Sequence, residues 1–317
     1  MRTRALGNSG LVVSELSLGT WGLAGESYGP IETEEAEKTI TRARELGITL
    51  FETADLYGSS EGKEPVESIL GRVLDRDDQA YVCTRGGNDV AGLPPKKRFD
   101  RMFLHRSAAR SADRLRRAPD IYLLHNPMAE TLRRGEAVGA LEELIADGVI
   151  KQWGVSCGDA DTAKVAIELG AKVIELAYNL FHQRDMNAIA AEVKQANVGV
   201  LARSPLAHGL LCGTWSAERA FEEGDHRRDR WTPEELTERL REVATMRPLV
   251  SGEIHTLRSA ALRFVLCNHQ ISSVVVGARS AAQIEANIRA IGKGPPYLSD
   301  EDIARVPMLL LSAGVKP

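Results

Sequence analysis

The chain has no apolar run of membrane-spanning length, and its first ten residues, MRTRALGNSG, lack the apolar core of a secretory signal. Cysteine is scarce, and its four residues lie far apart without a CxxC pair: Cys83, Cys157, Cys212 and Cys267. This spacing excludes a dense disulfide framework and indicates no metal site. We therefore expect a cytoplasmic protein with reduced thiols.

The chain also lacks an excess of charge. Its 40 Lys and Arg residues face 44 Asp and Glu residues, which leaves a formal net charge of −4. Such a balance gives no electrostatic basis for binding nucleic acid or an anionic membrane. The length of 317 residues, with 43% hydrophobic residues, is compatible with two domains or with one large barrel. The composition leaves the oligomeric state open.

Short apolar runs alternate regularly with amphipathic segments along the chain. Residues 2–6 and 11–14 flank Gly7-Asn8-Ser9-Gly10 and predict a β-hairpin within about residues 1–15. Eight further strands are predicted at residues 16–19, 50–52, 80–84, 121–125, 152–156, 173–177, 199–202 and 273–276. Helices are predicted at residues 33–46, 63–74, 103–115, up to 147, 160–169, 186–195, 254–267 and 280–290, with a last one from Ser299-Asp300.

Eight strand–helix units predict a (β/α)8 TIM barrel with an N-terminal β-hairpin and a C-terminal helical extension, formed by one domain over residues 1–317. A doubly wound sheet is the alternative, but no GxGxxG motif follows any predicted strand. A long polar loop at about residues 208–248 follows the seventh strand and contains EEGDHRRDR. A loop of this length is usually functional or mobile.

In a barrel, the residues that follow each strand converge on one face. The stretch ITLFETADLYGSSE at residues 48–61 places Asp55 and Tyr57 just after the second strand. Arg85 follows the third strand, and His125 ends the fourth. A carboxylate, a phenol, a guanidinium and an imidazole on successive strand ends predict catalysis. The alternative is that Tyr57 is a half-buried aromatic residue beside a turn.

The last two strands indicate a phosphate-bearing ligand. After the eighth strand, Gly277 permits close backbone approach and Ser280 begins a helix whose free N–H groups favour an anion. Arg279 adds a bidentate phosphate donor, unless it is only a surface charge. The segment RSPLAHGLLCG after the seventh strand contains small residues suited to wrapping a pyrophosphate.

The chain resembles the aldo-keto reductases over nearly its whole length. The similar segments are LGTWGLAG, FETADLYGSSE, DIYLLHNP, WGVS, AYNLF, SPLAHGLL and VVVGARSAAQIEANI, each at the end of a predicted strand. The resemblance implies a (β/α)8 barrel that binds NADP(H) without a Rossmann domain. It also implies hydride transfer between this cofactor and a small carbonyl or alcohol substrate.

The resemblance assigns Asp55, Tyr57 and His125 to three members of a catalytic tetrad. Tyr57 would protonate the carbonyl oxygen, and His125 would donate a hydrogen bond to the same oxygen. The positions that correspond to the cofactor site are Thr20, Trp21, Ser156, Ser204, Leu206, Gly209, Gly277, Arg279, Gln283 and Asn287. Among these, Ser156 corresponds to a contact with the nicotinamide carboxamide and Arg279 to a contact with the 2′-phosphate.

Four positions depart from the family pattern. Arg85 replaces the tetrad Lys, Cys157 and Glu175 replace an Asn and a Gln that hold the carboxamide, and Arg203 replaces an aromatic residue that stacks on the nicotinamide. We expect Arg85 to keep Tyr57 acidic, with Asp55 positioning the guanidinium. Arg85 cannot lose its proton as a Lys can. Glu175 is protonated, paired with an Arg, or turned away.

Three functions fit these residues. The first is an NADP(H)-dependent oxidoreductase acting on a small carbonyl or alcohol. The second is a redox-neutral lyase, dehydratase or epimerase on the same scaffold, and the third is a non-catalytic cofactor-binding protein. The substrate is not readable from the sequence, although four aromatic residues in loop segments can line a pocket or merely anchor the loops: Trp21, Tyr28, Trp215 and Trp231.

Overall fold

A computed structural model describes residues 1–60, 62–90 and 96–315. Eight parallel strands form a closed barrel, which confirms the predicted (β/α)8 fold. In chain order they are Leu16–Gly19, Leu50–Glu52, Tyr81–Gly86, Ile121–His125, Trp153–Ser156, Val173–Ala177, Gly199–Arg203 and Ser273–Gly277. They are called here the first to eighth barrel strands. The eighth pairs with the first and closes the barrel.

Helices surround the barrel. They are α1 (Thr33–Glu45), α2 (Val66–Val73), α3 (Arg101–Leu115), α4 (Ala129–Arg133), α5 (Glu136–Ala146), α6 (Ala160–Glu168), α7 (Arg184–Ala188), α8 (Ala190–Ala196), α9 (Pro233–Thr245), α10 (Leu257–Cys267), α11 (Ala281–Ile291) and α12 (Asp300–Ser312). Short 3-10 turns occupy Trp21–Leu23, Ala207–Cys212 and Arg247–Leu249. The last helix, α12, is the predicted C-terminal extension.

Several predicted boundaries shift for local reasons. Helix α2 begins three residues later than predicted, because Pro65 occupies its N-cap position. The single helix predicted before residue 147 is divided into α4 and α5 at Gly135, whose φ is 79°. The loop predicted at 208–248 contains the 13-residue helix α9. This helix has a complete capping box, in which Thr232 and Glu235 each accept a backbone hydrogen bond from the other.

A β-hairpin closes the end of the barrel at which the strands begin. Its strands, Thr3–Ala5 and Val12–Ser14, pair antiparallel as predicted. Leu6 and Val13 pack against the lowest inward-facing residues of the barrel strands. Gly7 has a φ of 53°, and a Cβ there would lie 2.2 Å from the backbone nitrogen of Gly199. Only glycine permits the hairpin to seat this closely on the seventh strand.

A second, two-stranded hairpin follows the third barrel strand and was not predicted. It pairs Asn88–Asp89 with Lys96–Lys97 in antiparallel register. None of the described helices is both long and apolar enough to cross a membrane.

Candidate active site

Side chains alternate along each barrel strand, and this period of two builds the site. Near the beginnings of five strands, the inward residues form one apolar cluster: Leu50, Cys83, Leu123, Val173 and Leu201. Two residues further along, on the same inward face, each strand presents a polar side chain: Glu52, Arg85, His125, Glu175 and Arg203. The carboxyl-end mouth of the barrel is therefore lined by charged groups and an imidazole above an apolar floor.

Arg85 and Tyr57 form the centre of this mouth. The Nη2 atom of Arg85 donates a hydrogen bond to the phenol oxygen of Tyr57, and both side chains are buried. The guanidinium carbon lies 5.4 Å from the centre of the Tyr57 ring. Burial raises the pKa of Tyr57 well above its usual value, and this effect exceeds the opposing effect of Arg85. Tyr57 is therefore a protonated phenol with a fixed cation in contact with its oxygen.

Two buried carboxylates hold Arg85. Its Nη2 lies 2.6 Å from Oε1 of Glu52, and its Nη1 donates a 3.0 Å hydrogen bond to Oε2 of Glu175. Burial opposes the charge on Arg85, but Glu175 and Glu52 outweigh it and raise the pKa of the guanidinium. Of the three alternatives for Glu175, the structure shows the pairing with an arginine. Burial raises the pKa of Glu52 to about 8, against the lowering effect of Arg85 and with the support of Glu175.

Asp55 does not hold the guanidinium, contrary to the expectation from sequence. Its Oδ2 accepts a 2.7 Å hydrogen bond from Ser107 on α3, and it lies 3.6 Å from Nη2 of Arg110 on the same helix. Only its backbone nitrogen contacts Arg85, through the backbone oxygen of that residue at 2.9 Å. The chain has already left the strand at Asp55, so its side chain points outward to the helix layer. Glu52, the last residue of the strand, takes the inward position instead.

His125 is held from two sides by the unpredicted hairpin. The amide Nδ2 of Asn88 lies 2.9 Å from Nδ1 of His125, and Nζ of Lys97 donates a 2.6 Å hydrogen bond to the backbone oxygen of His125. Burial, with the charges of Arg85 and Lys97, holds the pKa of His125 well below its usual value. The ring is neutral, and because Nδ1 accepts from Asn88, the proton is on Nε2.

Two buried hydroxyls at the mouth are free for a ligand. Within residues 1–60, 62–90 and 96–315, the side-chain oxygens of Thr20 and Ser156 have no hydrogen-bond partner. By contrast, Sγ of Cys157 is turned back to the carbonyl of Val155 at 3.5 Å. Nη2 of Arg203 donates a 3.2 Å hydrogen bond to the backbone oxygen of Cys157. Buried polar atoms are normally satisfied, so the two hydroxyls are available to hydrogen-bond a bound ligand.

The residues after the seventh strand form a tight, irregular turn. Ser204, His208 and Gly209 have φ angles of 57°, 59° and 103°, all in the left-handed region. Leu206 lies between them, partly buried, and its carbonyl accepts the backbone N–H of Gly209 at 2.9 Å. The predicted pyrophosphate segment is thus a folded backbone loop at the rim of the mouth.

Arg279 is engaged differently from the sequence expectation of a free phosphate donor. Its guanidinium donates to the backbone carbonyls of Tyr28, Gly29 and Pro30 at 2.6, 3.0 and 2.6 Å. Its backbone nitrogen donates a 2.9 Å hydrogen bond to Oε1 of Gln283, one turn into α11.

Around Arg279 the expected cofactor cradle remains open. Asn287 donates a 3.3 Å hydrogen bond to the carbonyl of Gly277, and a Cβ at Gly277 would meet no described atom within 4 Å. Arg279 therefore ties the first loop, the connection between the first barrel strand and α1, to the start of α11, beside an open glycine.

Aromatic rings cover the mouth above Tyr57. Trp21 stacks over Tyr57 with ring centres 6.4 Å apart, and its ring lies 4.7 Å from His226 and 5.1 Å from Tyr28. His208 joins this group and contacts Trp231 at 6.4 Å, and Trp231 lies 6.2 Å from Trp215. The backbone N–H of His226 donates to the carbonyl of Ser27 at 2.9 Å, so the segment after the seventh strand lies on the first loop.

Sequence reasoning missed Glu52, Asn88, Lys97, His208 and His226. Strand alternation points to Glu52, because it lies two residues after the inward-facing Leu50. The other four residues lie in connections whose path depends on tertiary contacts. No group of three or more His, Cys, Asp or Glu side chains that could hold a metal ion occurs in the part of the chain that the structure describes.

An eight-stranded parallel barrel thus carries a buried phenol and a cation in contact at its mouth. The model of the aldo/keto reductase family matches residues 15–310, and the chain belongs to this family. It is 28% identical to an L-glyceraldehyde 3-phosphate reductase from Escherichia coli O157:H7 over 326 residues, which covers 96% of this chain and 91% of the relative.

Two solved structures with the same fold are each 25% identical in sequence. A glycerol dehydrogenase from Gluconobacter oxydans has a TM-score of 0.84 and covers 99% of this chain and 97% of its own. The holo form of an aldo-keto reductase from Bacillus halodurans has a TM-score of 0.79, with coverages of 98% and 96%. Members of this family use a nicotinamide cofactor.

Proposed function

We propose that this protein is an NADP(H)-dependent reductase of small carbonyl compounds, which also runs in reverse on the corresponding alcohols. The observation on which this rests is the buried, protonated phenol of Tyr57 with the Arg85 guanidinium on its oxygen. A general acid must hold its proton until the transition state, and its conjugate base must then be stabilised. Arg85 provides that stabilisation because a fixed cation favours tyrosinate.

The reduction needs a hydride at the carbonyl carbon and a proton at its oxygen. The nicotinamide ring supplies the hydride when the cofactor is bound. Tyr57 gives the proton to the carbonyl oxygen, while Nε2–H of His125 donates a hydrogen bond to the same oxygen and orients the substrate. The developing negative charge on that oxygen is stabilised by two donors that are already in place, which reduces reorganisation during the reaction.

The described residues fit a nicotinamide dinucleotide. Ser156 and Thr20 offer buried hydroxyls without partners among the described residues, and both sit on strand ends at the mouth. Arg279 is the donor for a 2′-phosphate, which would replace the three carbonyls of the first loop on its guanidinium. A phosphate is a stronger acceptor for a guanidinium than neutral carbonyls are. This exchange is the reason for proposing NADP(H) rather than NAD(H).

The mouth suits a small, hydroxylated substrate. Trp21, His208 and His226 narrow the space above Tyr57, and the two neutral imidazoles offer hydrogen bonds to hydroxyl groups. The names of the relatives, a glyceraldehyde 3-phosphate reductase and a glycerol dehydrogenase, refer to three-carbon polyols and aldehydes. We therefore propose a short hydroxyaldehyde as the substrate class.

The redox-neutral alternative rests on the altered residues Arg85, Cys157 and Glu175, and its electrostatic argument is that a carboxylate beside the nicotinamide opposes hydride donation. Glu175 is instead hydrogen-bonded to Arg85, and the charge of this pair is balanced locally. A paired carboxylate stabilises the oxidised, cationic ring much less than a free one, so the objection to hydride donation loses its force.

The test is a titration of the purified protein with NADPH and NADH by fluorescence quenching, followed by turnover on a panel of short aldehydes and hydroxyaldehydes. We expect tighter binding of NADPH and consumption of NADPH with at least one member of the panel. Tight binding without turnover on any carbonyl would contradict a reductase and favour a cofactor-binding or redox-neutral protein.

A further inference from the structure

The cation at the centre of the mouth faces more carboxylates than it can neutralise. Arg85 contacts both Glu52 and Glu175, at 2.6 and 3.0 Å, and all three side chains are at most 7% exposed. Two ionised carboxylates in contact with one guanidinium exceed its charge by one, and no other cation among the described residues forms an ion pair with either of them. Buried charges without compensation are costly, and carboxylates that share a site commonly retain one proton between them.

Among the described residues, Arg85 is the one cation that forms an ion pair with Glu52. Arg203 on the seventh strand lowers the pKa of Glu52 through its charge, while its Nη2 donates a hydrogen bond to the backbone oxygen of Cys157. Cys83, on the third strand, is a buried neutral thiol whose pKa is raised well above its usual value by burial. Tyr57 is a neutral phenol, as described above. The excess negative charge is therefore relieved within the pair of glutamates.

We propose that Glu52 and Glu175 share one proton, that Glu52 carries it, and that Glu52 exchanges this proton with Tyr57 during catalysis. The geometry supports the exchange, because Oε1 of Glu52 and the phenol oxygen of Tyr57 lie against the same atom, Nη2 of Arg85, and this Oε1 has no hydrogen-bond partner among the described residues. Arg85 itself cannot pass a proton on at ordinary pH. The second part of this proposal rests on the proposed reductase function.

The protons balance in both directions of the reaction. In reduction, Tyr57 loses its O–H proton to the substrate oxygen as hydride reaches the carbon, and Glu52 then transfers its carboxyl proton to the tyrosinate. Glu52 is then an ionised carboxylate paired with Arg85, and it regains a proton from solvent. In alcohol oxidation, the alcohol O–H proton passes to Tyr57, and the phenolic proton passes to the ionised Glu52 as hydride leaves the carbon.

The two directions should depend on pH in opposite ways. The pKa of Glu52 is raised to about 8, chiefly by burial, so the carboxyl is protonated below this pH and ionised above it. Reduction needs the protonated form, and its kcat should fall as pH rises through about 8. Oxidation needs the ionised form, and its kcat should rise over the same interval.

The shared proton can be tested without substrate or cofactor. In protein labelled with 13C at the side-chain carboxyl of glutamate, ordinary residues have already ionised above about pH 6, because their pKa is about 4.3. We expect one resonance to titrate between about pH 6 and 10, to be missing in Glu52→Gln, and to titrate at lower pH in Glu175→Gln. The absence of such a resonance would overturn the proposal. So would its loss in Glu175→Gln with retention in Glu52→Gln.

The exchange with Tyr57 is tested by kcat against pH for the wild type and the same two isosteric variants. Glu52→Gln should lower kcat for reduction at least about tenfold with little change in KM, and should abolish the fall above about pH 8. Wild-type kcat and pH dependence in Glu52→Gln would overturn the exchange. A wild-type protein that turns over no carbonyl would overturn the proposed function and the exchange together, and the NMR titration would still decide the shared proton.

Discussion

The two ends of the barrel hold the same three residue types in contact. At the mouth they are Arg85, Glu52 and Tyr57. At the opposite end they are Arg4 of the hairpin, Glu15 before the first barrel strand, and Tyr297 before α12. Arg4 donates a 2.8 Å hydrogen bond to Oε1 of Glu15, and Tyr297 donates to Oε2. Burial and Glu15 raise the pKa of Tyr297 to about 12, so this phenol is protonated as well.

What differs is how completely the partners are used. Arg4 also donates hydrogen bonds to the backbone carbonyls of Leu266, Asn268 and Ile271, at 2.8, 3.3 and 2.9 Å. Both oxygens of Glu15 are hydrogen-bonded. At the mouth, Oε1 of Glu175 has no hydrogen-bond partner among the described residues. A fully hydrogen-bonded ionic cluster stabilises structure, whereas the atoms without partners at the mouth are available to a ligand or a proton.

The sharpest test of this comparison exchanges the two phenols for phenylalanine. Tyr57→Phe removes the proton donor but keeps the ring, so we expect cofactor affinity to persist and reduction to fall by about 10²–10⁴-fold. Tyr297→Phe should leave kcat and KM unchanged and lower thermal stability only. Steady-state kinetics of the two purified variants decides the matter, and unchanged reduction by Tyr57→Phe would remove this residue from the mechanism.

Replacing each arginine by methionine should affect a different property: stability for Arg4 and catalysis for Arg85. Arg4→Met removes the hydrogen-bonded cation of the buried Glu15 and leaves it the exposed Arg2 at 3.9 Å, so it should destabilise folding by about 3–5 kcal/mol, with kcat preserved in the folded fraction. Arg85→Met should lower kcat on the order of 10²-fold, since tyrosinate loses its stabilising charge. Urea denaturation and kinetics below the unfolding transition separate the effects. Wild-type kcat in Arg85→Met would show that no cation is needed there.

His125 has no counterpart at the hairpin end, and its tautomer gives a smaller but more specific effect. In Asn88→Asp, a carboxylate accepts from Nδ1–H, so the pKa of His125 should rise and the neutral ring should lose its Nε2 proton. We expect kcat/KM for reduction to fall about tenfold to a hundredfold at pH 8 and to recover as the pH is lowered. Wild type should not show this recovery, because its imidazole stays neutral.

Lys96→Ala is the matched control for that experiment, because it makes the same change in net charge at an exposed position of the same hairpin. A recovery at low pH in Lys96→Ala as well would assign the effect to overall charge rather than to the tautomer of His125.

The smallest expected effect concerns the outer rim of the mouth. Arg279→Ala should reduce the preference for NADPH over NADH by about 1–3 kcal/mol, or roughly 5- to 150-fold, since a charge-assisted contact with the 2′-phosphate is lost. Arg289→Ala, on an exposed turn of α11, is the control and should leave the ratio of dissociation constants unchanged. Equal affinity of the wild type for both cofactors would contradict the role of Arg279.

The barrel was predictable because each strand is an apolar run between turn residues. The site residues were only partly predictable. From the sequence we predicted Asp55 as the carboxylate that holds Arg85, but the backbone turns outward before it, and Glu52 contacts Arg85 instead. Period-two alternation from Leu50 identifies Glu52, whereas the outward path at Asp55 depends on contacts with α3, which are long-range.

The connections were the least predictable part. Helix α9 was not predicted, because it lies in a segment rich in charged residues. Its start is nevertheless an ordinary helix signal, formed by Thr232, Pro233 and Glu235. The contact of Arg279 with the carbonyl of Tyr28 joins residues 251 positions apart in the chain. The contact of Asn88 with His125 joins residues 37 positions apart. Local sequence patterns contain no information on such pairings.

The hairpin that closes the bottom of the barrel also constrains the order of events during synthesis on the ribosome. Arg4 finds its carbonyl partners only at residues 266–271, which are translated more than 260 residues later. Until then Leu6 and Val13 have no completed barrel end on which to pack. The hairpin therefore cannot complete its packing until the eighth strand has been synthesised and closes the barrel. Until then it is accessible to chaperones and proteases.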